Sequence, residues 1–310
     1  MTFRNRIEFA VTSLLFAAVG LMSCGSGTPT PAARATPSPA PATTPVPSPT
    51  TIAYDHIVLI ILENQSFETV IGSAEAPYLN SLANQWALAT GYSGVSHPSL
   101  PNYLALIGGS TFGITKDCTD CFVNAPSLPD RLETAGKTWK AYMEGMPSPC
   151  FVGSSGRYAQ KHNPFIYFDP IRTDPSRCAR IVPYSQLPGD FAAPTSAPNF
   201  AFITPDLCND GHGCPLATTD TWLAREVQAL LASPGFAGSR SLLVITYDEG
   251  AGGSDRVATI FAGTGVKPGF RSSASYDHYS RLRTIENLFG VAPLADADGG
   301  ATPMSDFFVR

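Results

Sequence analysis

Three runs of mostly apolar residues dominate the hydrophobic pattern of the chain: His56–Leu62, residues 199–204 and Ser241–Tyr247. Runs of this length with little polar interruption are typical of strands that are covered on both faces. Residues 138–143 and 257–262 predict two further strands. The pattern therefore predicts a buried sheet.

Segments with helical spacing of apolar positions alternate with these strands. The spacing predicts helices over residues 76–85, 128–135, 220–231 and 282–289. Because strands and helices alternate along the chain, we expect an α/β fold with a largely parallel sheet. No internal repeat is visible in the sequence.

The periodicity fades between residues 144 and 198, where Pro, Gly and Ser become frequent. This segment is long for a connection between two elements of a compact domain. We therefore interpret it as a surface insertion close to the functional site. It contains the polar pair Lys161 and His162.

The N-terminal residues are expected to lie outside the fold. Arg4 and Arg6 precede an apolar stretch over residues 9–22, which is too short for a secure membrane span and is typical of a secretory signal. We therefore predict a signal peptide over residues 1–23 and an exported protein.

The end of this signal, Leu21-Met22-Ser23-Cys24-Gly25, resembles a bacterial lipobox. Cys24 would then carry lipid and anchor the protein at the cell surface, with plain secretion as the alternative. Residues 24–51 are almost wholly Pro, Thr, Ala and Ser, a composition that predicts a semi-extended tether. The folded domain would span residues 52–310.

Composition excludes one class of partner. The chain has 310 residues, of which 44% are hydrophobic, so it can bury a large core. Its formal net charge is -5 and it has no cluster of Lys and Arg. A nucleic-acid partner would require a basic surface, so we expect none.

Six cysteines remain in the predicted domain: Cys118, Cys121, Cys150, Cys178, Cys208 and Cys214. An even number in an exported protein favours disulfides, and we predict that sequence neighbours pair. Cys118 and Cys121 could alternatively form a redox motif or half of a zinc site. No second Cys-x-x-Cys is present to complete such a zinc site.

Acidic and amide side chains follow the three buried strands. Glu63 and Asn64 follow the first strand, Asp210 lies in the loop after the second, and Asp248 and Glu249 follow the third. Ligands of α/β proteins bind at the carboxyl ends of strands, so these groups predict a shared site. The alternative is a set of solvated polar turns.

Ser99 lies in another polar segment, Ser96-His97-Pro98-Ser99-Leu100-Pro101-Asn102. The prolines disfavour helix upstream, so a helix is expected to start around Pro101 with Ser99 at its mouth. The free N–H groups and the dipole of a helix start suit a phosphate. A serine N-cap without further function is the alternative.

Together these groups suggest phosphoryl transfer. Carboxylates with an amide form an oxygen-rich set that suits a divalent ion such as Ca²⁺, Mg²⁺ or Mn²⁺. A metal ion beside a seryl oxygen activates it as a nucleophile. Four of the five histidines fall in polar turns, where they could hold phosphoryl oxygens and protonate a leaving oxygen.

Several motifs resemble one family of phosphoesterases. They are Glu63-Asn64-Gln65-Ser66, Ser99-Leu100-Pro101-Asn102, Asn209-Asp210-Gly211-His212, Tyr247-Asp248-Glu249-Gly250 and His278-Tyr279-Ser280. The family unites bacterial acid phosphatases with phospholipases C and belongs to the alkaline-phosphatase superfamily. The resemblance covers roughly residues 55–291 and implies a three-layer αβα sandwich. Gln65 departs from the family, which usually has Arg at that place.

The resemblance also implies roles for individual residues. The metal ligands would be Glu63, Asn64, Asp248 and Glu249. The transient phosphoryl acceptor would be Ser99. The phosphate or the leaving group would contact His162, His212 and His278. Substrate binding would be supported by Asn102, Asn209, Asp210 and His97, although His97 fits a structural role equally well.

The resulting expectation is a metal-dependent phosphomonoesterase that acts through a phosphoseryl intermediate with one divalent ion. A phospholipase C-type phosphodiesterase and a non-catalytic phosphate-binding lipoprotein are the alternatives. The substrate would be a phosphomonoester such as a phosphoinositide or another phosphorylated small molecule. The protein would be a monomer and would contact a membrane only through lipid on Cys24.

Overall fold

The computed structural model describes residues 53–252 and 254–309. The predicted signal peptide, the lipid attachment at Cys24 and the tether lie outside the described residues and stay predictions. Within those two ranges, no helix combines the length and the apolar character that crossing a bilayer requires.

Ten strands lie in the described part of the chain: β1 (His56–Leu62), β2 (Ala87–Ala89), β3 (Tyr92–Ser93), β4 (Trp139–Met143), β5 (Ile181–Pro183), β6 (Phe200–Thr204), β7 (Ser241–Tyr247), β8 (Thr259–Gly263), β9 (Arg271–Ser272) and β10 (Tyr276–Asp277). Eight of them form one sheet in the order β5-β4-β6-β1-β7-β8-β2-β9, and β3 pairs with β10. Only β8 runs antiparallel to its neighbours in that sheet. The predicted α/β fold with a largely parallel sheet is confirmed.

The helices of the described residues are α1 (Phe67–Val70), α2 (Pro77–Gln85), α3 (Ser99–Gly108), α4 (Leu128–Thr134), α5 (Asp169–Arg172), α6 (Pro175–Cys178), α7 (Leu187–Asp190), α8 (Leu216–Ala232), α9 (Pro234–Ala237), α10 (His278–Phe289) and α11 (Asp296–Gly300). Short 3₁₀ turns span Gln160–His162, Pro164–Tyr167, Tyr184–Gln186 and Ser305–Phe307. Helix α3 contacts α4 and α10, and helix α8 contacts α2 and α9. Because every residue of β1 and β7 is buried, the sheet lies between helical layers.

The register of the central strands determines where the site forms. β1 pairs with β7 along its whole length, up to Leu62 opposite Tyr247. The next residues, Glu63 and Asp248, therefore emerge side by side at one edge of the sheet. The Glu63 backbone N–H donates to the Asp210 carbonyl at 2.8 Å, which brings the loop after β6 to the same edge.

The interpretation of residues 144–198 as a surface insertion is wrong, although the segment does border the site. Residues 165–168 are completely buried, and the Phe165 ring stacks on Trp139 with centroids 5.2 Å apart. The segment also supplies β5, which extends the sheet beside β4. Its apolar residues lie on single turns, so they show no period that a sequence pattern could reveal.

The predicted disulfides between sequence neighbours are confirmed. Bonds join Cys118 to Cys121, Cys150 to Cys178 and Cys208 to Cys214. The alternative of a zinc half-site at Cys118 and Cys121 is therefore not supported, since both sulfurs are bonded to each other.

Glu286 on α10 predicts a dependence of stability on pH. It is fully buried, and both carboxyl oxygens lack a hydrogen-bond partner among the described residues. Burial and the adjacent Asp298 carboxyl raise the pKa of Glu286 from 4.5 to about 8, although Arg283 partly opposes the shift. Between these pH values the folded protein keeps a proton that the unfolded chain releases, so this contribution to stability falls as pH rises.

The Glu286→Gln variant keeps the shape of the side chain but has no carboxyl group that can titrate. The free energy of unfolding of the wild type should fall, relative to the variant, by on the order of a few kcal/mol between pH 4.5 and 8, because one pKa unit corresponds to about 1.4 kcal/mol. Urea unfolding at both pH values measures this difference. Identical pH slopes for the two proteins would contradict the assignment.

Candidate active site

Ser99 is the first residue of α3 and lies beside the carboxylate of Glu63. Its hydroxyl donates to Glu63 Oε2 at 3.1 Å, and both side chains are almost completely buried. The helix begins earlier than the predicted start at Pro101, with Pro98 as its N-cap residue. The structure therefore joins the predicted nucleophile to one of the predicted metal ligands.

Asn102 fixes the turn that precedes Ser99. Its side-chain oxygen accepts hydrogen bonds from the backbone N–H groups of Val95 and Ser96, at 2.9 and 3.0 Å. Its amide nitrogen donates to the Ser96 carbonyl at 2.7 Å and lies 3.4 Å from Glu249 Oε2. Asn102 thus holds the turn before Ser99 close to the Glu249 carboxylate.

His162 lies between two buried carboxylates. Its Nε2 is 3.2 Å from Glu63 Oε2, and its Nδ1 is 3.2 Å from Asp210 Oδ2. Burial alone would lower the pKa of His162, but the two carboxylates raise it to about 10. Burial would likewise raise the pKa of Glu63, but the charged His162 ring and the hydrogen bond with His212 Nδ1 hold it well below its usual value.

His212 is the more exposed histidine of the cluster. Its Nδ1 lies 2.6 Å from the Asn64 side-chain nitrogen and 3.3 Å from Glu63 Oε2. The Asp210 carboxylate accepts the His212 backbone N–H at 2.7 Å and so shapes the loop. About a third of the His212 side chain, 35%, is open to solvent, so an incoming substrate can reach it.

Asp248 and Glu249 are the other two carboxylates of the site, beside Glu63 and Asp210. Asp248 Oδ1 accepts the Asn64 backbone N–H at 3.2 Å. Glu249 Oε2 lies 2.7 Å from His97 Nδ1, and the other ring nitrogen of His97 is 2.8 Å from Asp255. Burial, followed by the negative charges of the neighbouring acids, raises the pKa of Asp248 well above its usual range.

Two predicted site residues point to other partners. The His278 ring is fully buried, with Nδ1 2.9 Å from the Tyr92 hydroxyl and Nε2 2.5 Å from the Asp248 carbonyl. Asn209 donates from its side chain to Glu144 at 2.9 Å. His278 therefore supports the backbone of Asp248, and Asn209 supports the loop after β6. Their predicted contacts with substrate stay predictions.

The buried acids fit a divalent cation. Glu63 Oε1 and Asp248 Oδ2 are buried oxygens without a hydrogen-bond partner in the described residues. Buried carboxylates that repel one another require a compensating positive charge. Ligand atoms of Glu63, His162 and His212 also lie within 4.8 Å of one another. Part of the site is thus able to hold a metal ion.

Two contributors to the site were missed by the sequence interpretation. The Tyr103 ring stacks on His162 with centroids 5.3 Å apart and planes 9° apart. Asp117 accepts a hydrogen bond from the Leu100 backbone N–H at 3.1 Å. Tyr103 could have been found, because it lies four residues after Ser99 and so on the same face of the helix. Asp117 lies in a loop and carries no comparable signal.

The disulfide between Cys208 and Cys214 encloses the loop that positions Asp210 and His212. In the Cys208→Ser/Cys214→Ser variant we expect kcat to fall about tenfold or more, because a misplaced catalytic group costs rate steeply. Stability should fall by about 2 kcal/mol, since the loop is short. Steady-state kinetics on the folded variant measures the first effect. Unchanged kcat would show that the loop keeps its shape without the bond.

Comparisons with known proteins identify the family. The profile of the Phosphoesterase family matches residues 73–292. The phosphatidylinositol-3-phosphatase of Mycobacterium tuberculosis is 36% identical to this chain over 260 residues, which cover 82% of this chain and 83% of that protein. A probable acid phosphatase of Kluyveromyces lactis is 32% identical over 267 residues, covering 80% of this chain and 61% of that protein.

Solved structures agree on the fold. A protein of the alkaline phosphatase superfamily from Vibrio parahaemolyticus has a TM-score of 0.58 and 13% sequence identity to this chain. The match covers 80% of this chain and 69% of that one. At this identity the likeness supports the architecture alone.

Proposed function

This chain belongs to the phosphoesterase family, and we propose that it is a metal-dependent phosphomonoesterase that acts through a phosphoseryl intermediate on Ser99. It is a hydrolase that acts on phosphoric ester bonds. The observation that supports a metal-dependent mechanism with a phosphoseryl intermediate is the 3.1 Å hydrogen bond from the Ser99 hydroxyl to Glu63, inside a cluster of buried acids.

Four side chains would hold the ion: Glu63, Asn64, Asp248 and Glu249. Glu63 and Asp248 offer buried oxygens without hydrogen-bond partners, which supports this set. His162 is a weaker candidate ligand, because both of its ring nitrogens contact carboxylates and a protonated ring has no lone pair to give. When bound, such an ion lowers the pKa of a neighbouring hydroxyl and neutralises phosphoryl charge.

Different side chains of the site have different roles in the first half of the reaction. Ser99 Oγ attacks phosphorus and forms the P–Oγ bond, while its proton passes to water in the site. The ester P–O bond breaks, and His212 donates a proton to the leaving oxygen. His162 keeps the Glu63 carboxylate in place from the buried side.

In the second half, water attacks the phosphoserine and the P–Oγ bond breaks. His212, which gave up a proton in the first half, takes one from the attacking water, and Ser99 Oγ recovers a proton from solvent. Inorganic phosphate and the alcohol are the products. The two halves restore every protonation state.

The substrate class follows from the relatives. One is a phosphatidylinositol-3-phosphatase and another a probable acid phosphatase, so we propose phosphomonoesters, with phosphoinositides among them. The predicted domain limits, export, attachment through Cys24 and monomeric state belong to the same proposal. A phospholipase C-type reaction would release a phosphorylated alcohol instead of inorganic phosphate.

Hydrolysis of p-nitrophenyl phosphate by the purified protein tests this function. We expect inorganic phosphate as product, loss of activity after treatment with a chelator, and recovery when Mg²⁺, Mn²⁺ or Ca²⁺ is added. Digestion and mass spectrometry after an acid quench should find phosphate on Ser99. Full activity in excess chelator would contradict the metal requirement, and phosphate bound without turnover would favour a non-catalytic lipoprotein.

A further inference from the structure

Asp117 joins the Lys161 side chain to the peptide that follows Ser99. Its Oδ1 accepts the Leu100 backbone N–H at 3.1 Å, and its Oδ2 lies 2.8 Å from the Lys161 ammonium. Leu100 is the residue directly after the proposed nucleophile. The ammonium is therefore held next to the start of α3, where the phosphoryl group on Ser99 would lie.

The backbone that carries Lys161 is fixed on both sides. Gln160 is almost fully buried, and its side chain accepts the Gly153 N–H at 2.7 Å and donates to the Thr119 carbonyl at 2.8 Å. His162, on the other side, belongs to the buried acidic cluster. The backbone of Lys161 therefore has little freedom to move.

Lys161 places a positive charge where a substrate can meet it. Burial would lower the pKa of Lys161, but its hydrogen bond to Asp117 and the negative charges of Asp117, Glu63 and Asp248 raise it. The side chain is 24% exposed. The ammonium is thus both close enough to interact with the buried acids and open to an incoming anion.

The two candidate substrate classes differ in charge and in terminal oxygens. A phosphomonoester carries close to two negative charges at neutral pH and has three terminal oxygens. A phosphodiester carries one charge, and a second ester group replaces one of those oxygens. A fixed ammonium beside the third oxygen would therefore distinguish the two classes.

We propose that Lys161 determines the preference of this site for phosphomonoesters over phosphodiesters, by holding the terminal phosphoryl oxygen that a diester lacks. Asp117 is the positioning residue, since it holds Lys161 and the Ser99–Leu100 peptide together. The inference rests on the proposed phosphomonoesterase function and names the substrate class of that site.

Three variants test the inference. Lys161→Met keeps most of the side-chain stem and removes the charge, whereas Lys161→Arg keeps a charge. Lys140→Met is a matched control, because the Lys140 ammonium also pairs with a carboxylate, that of Asp190, at 2.7 Å. The Lys140 side chain is 23% exposed, close to the 24% of Lys161. For each protein, kcat/KM is measured with p-nitrophenyl phosphate and bis(p-nitrophenyl) phosphate, and calorimetry gives Kd for inorganic phosphate.

Loss of one charge-assisted hydrogen bond should lower kcat/KM for the monoester and the phosphate affinity of Lys161→Met by about tenfold to a hundredfold. The diester rate should change by less than about threefold, since the diester has no oxygen at that place. Lys161→Arg should retain most of the monoester preference, and Lys140→Met should match the wild type in every measurement.

Equal losses on both esters would overturn the inference, because they would indicate a general structural role. An unchanged phosphate affinity in Lys161→Met would overturn it as well. A wild-type protein that hydrolyses neither ester would contradict the proposed function, and the phosphate affinities of the variants would then decide the role of Lys161 by themselves.

Discussion

The Ser99→Ala variant will lose p-nitrophenyl phosphate hydrolysis by at least about a thousandfold in kcat, because no other group can accept the phosphoryl group. Its fold will remain, since the hydroxyl makes a single hydrogen bond and its loss costs only about 1 kcal/mol. Stopped assays for inorganic phosphate and thermal unfolding measure the two quantities.

Ser241→Ala is the matched control for this variant. Ser241 and Ser99 are both 1% exposed, and the Ser241 hydroxyl also makes one hydrogen bond, to the Phe236 carbonyl at 2.9 Å. It lies at the opposite end of β7 from Asp248. We expect a similar loss of stability with unchanged kcat. Activity of Ser99→Ala within tenfold of the wild type would remove Ser99 from the mechanism.

The Asp248→Asn variant will lose both activity and the stabilisation by divalent ions. In the wild type, an ion at a hundredfold excess over its Kd adds about 2.7 kcal/mol, or roughly 5–10 °C in Tm for a domain of this size. Without the ion, the variant should be at least as stable as the wild type, because a buried carboxylate among other acids becomes neutral. Thermal unfolding with and without Mn²⁺ measures both effects.

Asp220→Asn is the control for Asp248→Asn, because we expect opposite effects on stability and on the Mn²⁺ shift. Asp220 is also buried, but its carboxylate accepts the backbone N–H groups of Tyr78 and Leu79, at 3.0 and 2.8 Å, at the start of α2. This variant should lose stability and keep the shift with Mn²⁺. If Asp248→Asn keeps a full Mn²⁺ shift, the ion binds elsewhere.

The strands and their polar ends could be predicted because both signals are local. The apolar runs that form β1 and β7 have the predicted bounds, His56–Leu62 and Ser241–Tyr247. Since both strands are parallel neighbours that end together, Glu63 and Asp248 meet, as their positions after the strands predict. The start of α3 lies at Ser99, earlier than the predicted start around Pro101, because proline restricts the residues around it without fixing the first turn.

Other parts of the site depend on contacts between distant residues, which a single sequence does not reveal. Asp117 reaches Leu100 from a loop, and the His278 ring turns to Tyr92 and the Asp248 carbonyl. A histidine at the start of a helix has the same local signal whether its ring faces a substrate or supports a strand end. The buried part of the segment over residues 144–198 was missed for a related reason, since its short turns have no period.

We propose that Ser99 Oγ lies beside an ion held by Glu63, Asn64, Asp248 and Glu249. A crystal structure of the protein with Mn²⁺ and vanadate tests it most directly. We expect vanadium bonded to Ser99 Oγ and the ion in contact with those four side chains. Vanadate bound away from Ser99, or an ion held by Glu63, His162 and His212 instead, would contradict it.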